Sequence, residues 1–247
     1  MALNPTKSAV VLFGTPQRLK SLSGLHSFNA AGTDIKLSGK VKILGATLDS
    51  HLTMEPHTKA LSSSCFYHIR SFRQIRPSLD DGMAASVASA LVSSRLDHIN
   101  SILYGAPLKH TARLQRVQNA LAKVVTYRSN AFPVTSTVLL KQLHWLPIEW
   151  RTRFKLATLA HKALHTNRPP YLAELLQYRE TTRFLRSSSS IQLSVPRHNL
   201  SFGSRAFRIS APTIWNALPD SVRACHSLST FRHHLKTHYF GLAFPNP

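Results

Sequence analysis

Acidic residues are scarce in this chain. Ten Asp and Glu stand against 31 Lys and Arg in 247 residues, a formal charge of +21. A chain of that balance repels itself unless something anionic lies nearby. Nucleic acid and acidic membrane are the commonest candidates. Solubility alone asks for a net charge of only about 2 to 8, so a merely soluble basic surface is the weaker alternative. The acids are also unevenly placed, with none between Asp97 and Glu149 and none between Glu180 and Asp220.

Cysteine is nearly absent. Cys65 and Cys225 stand far apart and form no disulfide framework, which points to a reducing compartment, nuclear or cytoplasmic and not secreted. Long apolar runs are missing too. Ala9 to Phe13 is too short for a signal-peptide core or a membrane span, so the expectation is a soluble or peripheral chain with no membrane partner. The acid-free first 33 residues faintly mimic a transit peptide, but Pro5, Gly14 and Pro16 would interrupt its amphipathic helix.

A hydrophobic content of 43% suffices for one large domain or two small ones. Ser8 to Phe13 reads as a strand ended by a turn at Gly14-Thr15-Pro16. Ile35 and Leu37 alternate with polar residues after Gly32, and Val41 to Leu48 gives another β run. After Pro56 the period changes to about 3.6, with Leu61, Cys65, His68 or Ile69, and Phe72 on one face. A second helix is expected from Ser78-Leu79-Asp80-Asp81 to about Tyr104, and a third carries Leu114, Val117, Leu121, Val124 and Val125. Trp150 to His165 makes a fourth, with Arg151, Lys155 and Lys162 along one side. Ser187 to Ser190 is the best linker. Beyond it lie a strand at Ile191 to Val195, an apolar cluster around Phe202, Phe207, Ile209, Ile214 and Trp215, and a last helix from Ser229 to Tyr239. The fold class is therefore α+β and predominantly helical: a small antiparallel sheet over 1–55, a helical bundle over 56–178, a linker over 179–190 and a mixed region over 191–247.

Asp80-Asp81 is the only adjacent acidic pair. Paired carboxylates could hold catalytic metal ions, yet a position just after Pro77-Ser78 suits capping of a helix better. His233, His234 and His238 with Cys225 suggest zinc, but no close Cys-x-x-Cys pair supports it. Surface histidines are the preferred reading, and no metal site is expected. Phosphate loops, dinucleotide fingerprints and nucleophile elbows do not occur. Trp145, Trp150 and Trp215 lie beside prolines or leucines, so packing is favoured over base stacking.

Ordered motifs add to this reading. Asn4-Pro5-Thr6-Lys7 leading into Val11-Leu12-Phe13-Gly14, and Val41 to Asp49, open the series. Ser94-Arg95-Leu96-Asp97, Leu114 to Ala120, Leu143 to Pro147, Pro170-Tyr171-Leu172, Val195-Pro196-Arg197, Trp215 to Pro219 and Phe231 to Lys236 continue it. Together they resemble the carboxy-terminal part of reverse transcriptases from LINE-type (non-LTR) retrotransposons of the jockey and chicken-repeat kind. The departures are Asp97-His98-Ile99-Asn100, where the family commonly has Asp-Tyr-Cys-Asn, and Ala120-Leu121-Ala122-Lys123, where it has an Ala-Ala-Arg run.

The resemblance implies the end of the palm, the thumb and the region after it. In the family the metal-binding aspartates precede the segment matched here, so it implies a binding fragment that is no polymerase as it stands, with Mg2+ a cofactor only of a full-length member. Lys7 matches a family position tied to proton transfer. Leu44 and Gly45 match the primer grip. The thumb-like helices then offer Arg113, Arg116, Lys123, Arg151, Lys155 and Lys162 to the phosphates of an RNA-DNA hybrid or duplex DNA. Membership in a longer active RNA-directed DNA polymerase, or a retrotransposon remnant without selected function, are the alternatives.

Overall fold

The computed structural model describes residues 4, 8–30, 32–126, 134–179, 192–199 and 203–245. It is mostly helical, with two small antiparallel hairpins near the amino terminus. The α+β, predominantly helical class read from the sequence is the one observed.

Strand β1 (Ser27–Ala30) pairs with β2 (Thr33–Lys36), and β3 (Lys40–Ile43) with β4 (Ala46–Asp49). Two separate ribbons therefore replace the single sheet expected. The second is closed by Leu44 and Gly45, at φ 47° and 90°. Positive φ at both residues is what a two-residue hairpin turn with the right twist requires.

Val10 makes only an isolated bridge to Leu37, so the strand expected over Ser8 to Phe13 is absent. The turn read after it opens a short helix instead, α1 (Pro16–Ser21). Thr15 Oγ1 caps the Arg18 N–H at 3.4 Å, and Pro16 supplies a helical φ at the first position.

Helix α2 (Glu55–Ile75) buries Cys65, Ile69 and Phe72 as its periodicity predicts, with Leu61 half-buried. Helix α3 (Asp81–Ala88) continues through a π turn (Ser89–Ser93) into α4 (Ser94–Asp97). It stops at Asp97 rather than Tyr104, because His98 is extended and Ile99 takes φ 58°. Helix α5 (Leu108–Val125) buries all five stripe residues, and α6 (Ser136–Gln142) is a short helix the sequence did not suggest.

Helix α7 (Ile148–Thr166) is followed by a single turn, α8 (Pro170–Ala173). The expected strand over Ile191 to Val195 reduces to one bridge between Tyr178 and Leu193. The linker at Ser187 to Ser190, Ile191 and Phe202 lie outside the described residues. Phe207, Ile209, Ile214 and Trp215 belong to α9 (Phe207–Asn216); α10 (Asp220–Arg223) and α11 (Leu228–Ala243) complete the chain.

Two cores result. One joins α2, α3, α4 and α5 around Phe72, Val92, Leu96, Leu114 and Leu121. The other joins α7, α9 and α11 around Leu156, Trp215, Phe231 and Leu235. Their division falls between α5 and α7, inside the segment 56–178 that the sequence presented as one bundle. The reason is that the Ala157, Ala160 and Ala163 side of α7 is small enough to admit the late helices closely. Across the seam, the buried Gln118 donates Nε2 to Leu146 O at 2.9 Å and the Ile148 N–H donates to Gln115 Oε1 at 2.9 Å.

Candidate nucleic-acid interface

Cations on the helices differ sharply in what they meet. Arg113 sits at the start of α5, which runs beside α2 from the same end. Its Nη1 lies 3.4 Å from Thr58 Oγ1 and its Nη2 3.8 Å from Glu55 Oε1, and Lys109 Nζ reaches the same carboxylate at 3.0 Å. Arg113 is thus half-buried and held by α2. Arg116 and Lys123, seven residues apart on α5, are exposed and have no side-chain partner among the described residues. That spacing places them on one face, one above the other.

On α7, Arg151, Lys155 and Lys162 occupy one stripe by the same arithmetic. Lys155 and Lys162 are exposed and unpaired among the described residues. Arg151 is not free. It forks onto Asp97 at the end of α4, Nε to Oδ1 at 2.8 Å and Nη2 to Oδ2 at 2.6 Å. Its side chain is 17% exposed.

Leu44 stands at the tip of the β3–β4 hairpin, 89% exposed. Its carbonyl accepts from His98 Nε2 at 3.2 Å, which fixes the proton of that imidazole on Nε2 and ties the hairpin to α4. A Cβ on Gly45 would lie 3.2 Å from the same nitrogen, so a side chain there crowds the contact. Beneath the hairpin, Lys42, His57, Arg95 and His98 line a shallow basic pocket. Burial, with His98 as a lesser cause, lowers the His57 pKa, so that ring is neutral at pH 7. Lys7 lies outside the described residues.

Sequence reasoning missed a further basic face. Lys59, Arg70 and Arg73 of α2 are exposed beside Tyr67 and the less exposed Phe66. Their spacing puts them along one flank of the buried Cys65, Ile69 and Phe72 side. The signal was legible, since the residues outside the apolar stripe of that helix contain no acid after Glu55.

Helix α11 was read from the sequence as a basic helix bearing surface histidines. It brings Arg232 and Lys236 to the stripe of α7, where they line one cleft with Arg151 and Lys155. His233 and His234 are exposed, and His234 Nδ1 lies 3.8 Å from Cys225 Sγ. No group of three or more His, Cys, Asp or Glu converges as a metal site among the described residues. The acidic pair is taken up locally: Asp80 Oδ1 accepts from the Met83 N–H at 2.7 Å, and Asp81 pairs with the buried Arg76. Trp215 is buried in the second core, whereas Trp145 and Trp150 are half-buried.

No helix among the described residues is long and apolar enough to cross a membrane. Compared with family models, curated proteins and solved structures, the chain finds no match. The likeness to reverse transcriptases therefore rests on the sequence motifs alone.

Proposed function

We propose that this chain is a nucleic-acid-binding piece of LINE-type reverse-transcriptase ancestry. Its helical part grips the phosphate backbone of an RNA-DNA hybrid or duplex DNA, in a nuclear or cytoplasmic setting. The observation that carries this reading is the division of cations into two sets. Arg76, Arg113, Arg151 and Arg153 are held by the few carboxylates the chain possesses. Lys59, Arg70, Arg73, Arg116, Lys123, Lys155 and Lys162 stand exposed on helix surfaces outside every ion pair among the described residues.

Rigid helices hold such charges at fixed spacing without internal compensation, which suits a polyanion of regular repeat. These contacts position a duplex and read no sequence. Leu44 and Gly45, at the exposed hairpin tip, are assigned to the end of the bound strand through the motif resemblance. Lys7 is carried by that resemblance alone.

The test is binding of labelled RNA-DNA hybrid and duplex DNA to the wild-type chain and to Arg116→Glu/Lys123→Glu/Lys162→Glu. All three positions are exposed, so folding is preserved. The reading expects a loss of at least about tenfold at moderate salt. Unchanged affinity in the triple variant, or no affinity in either protein, rejects it.

A further inference from the structure

At the seam between the two cores, α4, α7, α11 and the loop before α7 enclose an open cleft of about 480 Å³. Its chemistry is divided. Arg151, Lys155, Arg232 and Lys236 supply four cations from two helices, against Asp97 as the one carboxylate on its walls. Trp145, Leu146 and Phe154 supply an apolar side. Two of the residues lining it each carry a deeply buried polar atom without a partner among the described residues: Arg151 Nη1, a donor, and Asn100 Oδ1, an acceptor.

Each orphan is fixed in place by its neighbours. Asp97 holds Arg151 through Nε and Nη2, which leaves the two N–H groups of Nη1 immobile and unused. Asn100 is only 4% exposed and donates Nδ2 to Asp97 Oδ1 at 3.3 Å, so its carbonyl oxygen cannot turn away. The ligand must carry an anion for the guanidinium and ammonium groups. It must also carry a flat or apolar body for Trp145, which has no ring partner among the described residues. Arg232 already covers Phe154, its guanidinium 6.0 Å from the ring centre.

We infer that this cleft seats one unpaired nucleotide of a single-stranded nucleic acid, its phosphate toward Arg151, Lys155 and Lys236 and its base beside Trp145. A duplex cannot present a nucleotide to a recess of this size without unpairing it, whereas a single strand combines backbone charge with accessible ring faces. The inference deepens the nucleic-acid reading above but does not use Arg116, Lys123 and Lys162, on which that reading's test depends.

The experiment measures affinity for a labelled short single-stranded oligonucleotide and for a duplex of equal length. It compares wild type, Arg232→Glu/Lys236→Glu, both exposed on α11 and outside the duplex-contacting set, and Arg116→Glu/Lys123→Glu, with circular dichroism confirming the fold of each. The expected result is a loss of about tenfold or more for the single strand in the cleft variant, with duplex affinity changed by less than about threefold. The α5 variant behaves in the opposite sense. Equal losses for single strand and duplex in the cleft variant, or no loss for the single strand, overturn the inference. A chain that binds single strand through the cleft but never binds duplex refutes the duplex reading and leaves the inference standing.

Discussion

Arg151 of α7 clasps Asp97 of α4 through two parallel hydrogen bonds, at 2.8 and 2.6 Å, across 54 residues of sequence. The pair ties the first core to the second. Arg151 is also one of the residues that line the cleft between the cores. Charge-assisted, bidentate pairs of this kind are stronger than ordinary hydrogen bonds.

Replacing Asp97 by Ala leaves a largely buried cation without its partner. Because Asp97 is 42% exposed, solvent screens part of the loss, and a destabilisation of about 1–2 kcal/mol follows. Urea unfolding measures it. Asp97→Asn, which keeps the shape and one acceptor, should lose less. Equal stability of wild type and D97A would show that the clasp contributes nothing.

Gly45→Ala places a Cβ at φ 90° and 3.2 Å from His98 Nε2. The conformation alone costs about 1–2 kcal/mol, and the crowding adds to it. Thermal melting should fall while the helical circular dichroism of the folded state stays unchanged. An unaltered melting temperature would mean that the hairpin does not hold this turn.

Acid weakens this fold through neutral histidines. Burial is the largest cause lowering the pKa values of His57, His110 and His161, although the His161 hydrogen bond to Cys225 O opposes it. The unfolded chain takes up protons first as pH falls below about 6.5. Stability is therefore full above that value and declines through the interval below it. A melting temperature lower by several degrees, on the order of 5, is expected at pH 5 relative to pH 7.5. His161→Gln should flatten the decline. A curve flat between those limits contradicts the assignment.

Phe231 is fully buried and stacks on His161 at 4.2 Å and near Trp215 at 5.8 Å. Phe231→Ala opens a cavity in the second core at a cost of about 3–5 kcal/mol. Chemical denaturation reads this directly, and a loss below about 1 kcal/mol would place the ring outside any tightly packed core.

Much of the helical fold was legible because a stripe such as Leu114, Val117, Leu121 and Val124 states both the helix and its buried side. Local chemistry was legible as well: Asp80 caps the helix it was expected to cap. The hairpin at Leu44-Gly45 was read as one run because Leu at a positive φ gives no sequence warning. Helices α1 and α6 are too short for their period to stand out, and α9 contains Pro212, which argues against a helix until the second core packs around it. The fate of the arginines was hidden for another reason. Arg113 and Arg151 find their carboxylates 58 and 54 residues away, and periodicity reports a face, not its partner. The cleft likewise depends on α11 lying against α7, a relation that no spacing within either helix encodes.

The central claim, that unpaired helical cations exist to meet phosphate, is tested most directly by the salt dependence of binding to RNA-DNA hybrid. A plot of log affinity against log salt should be linear with a slope steeper than about −3, since each phosphate neutralised contributes roughly −0.9 on duplex DNA. Each exposed cation removed should flatten it by about 1. A slope near zero, or one that Arg116→Glu, Lys123→Glu and Lys162→Glu leave unchanged, would contradict the account.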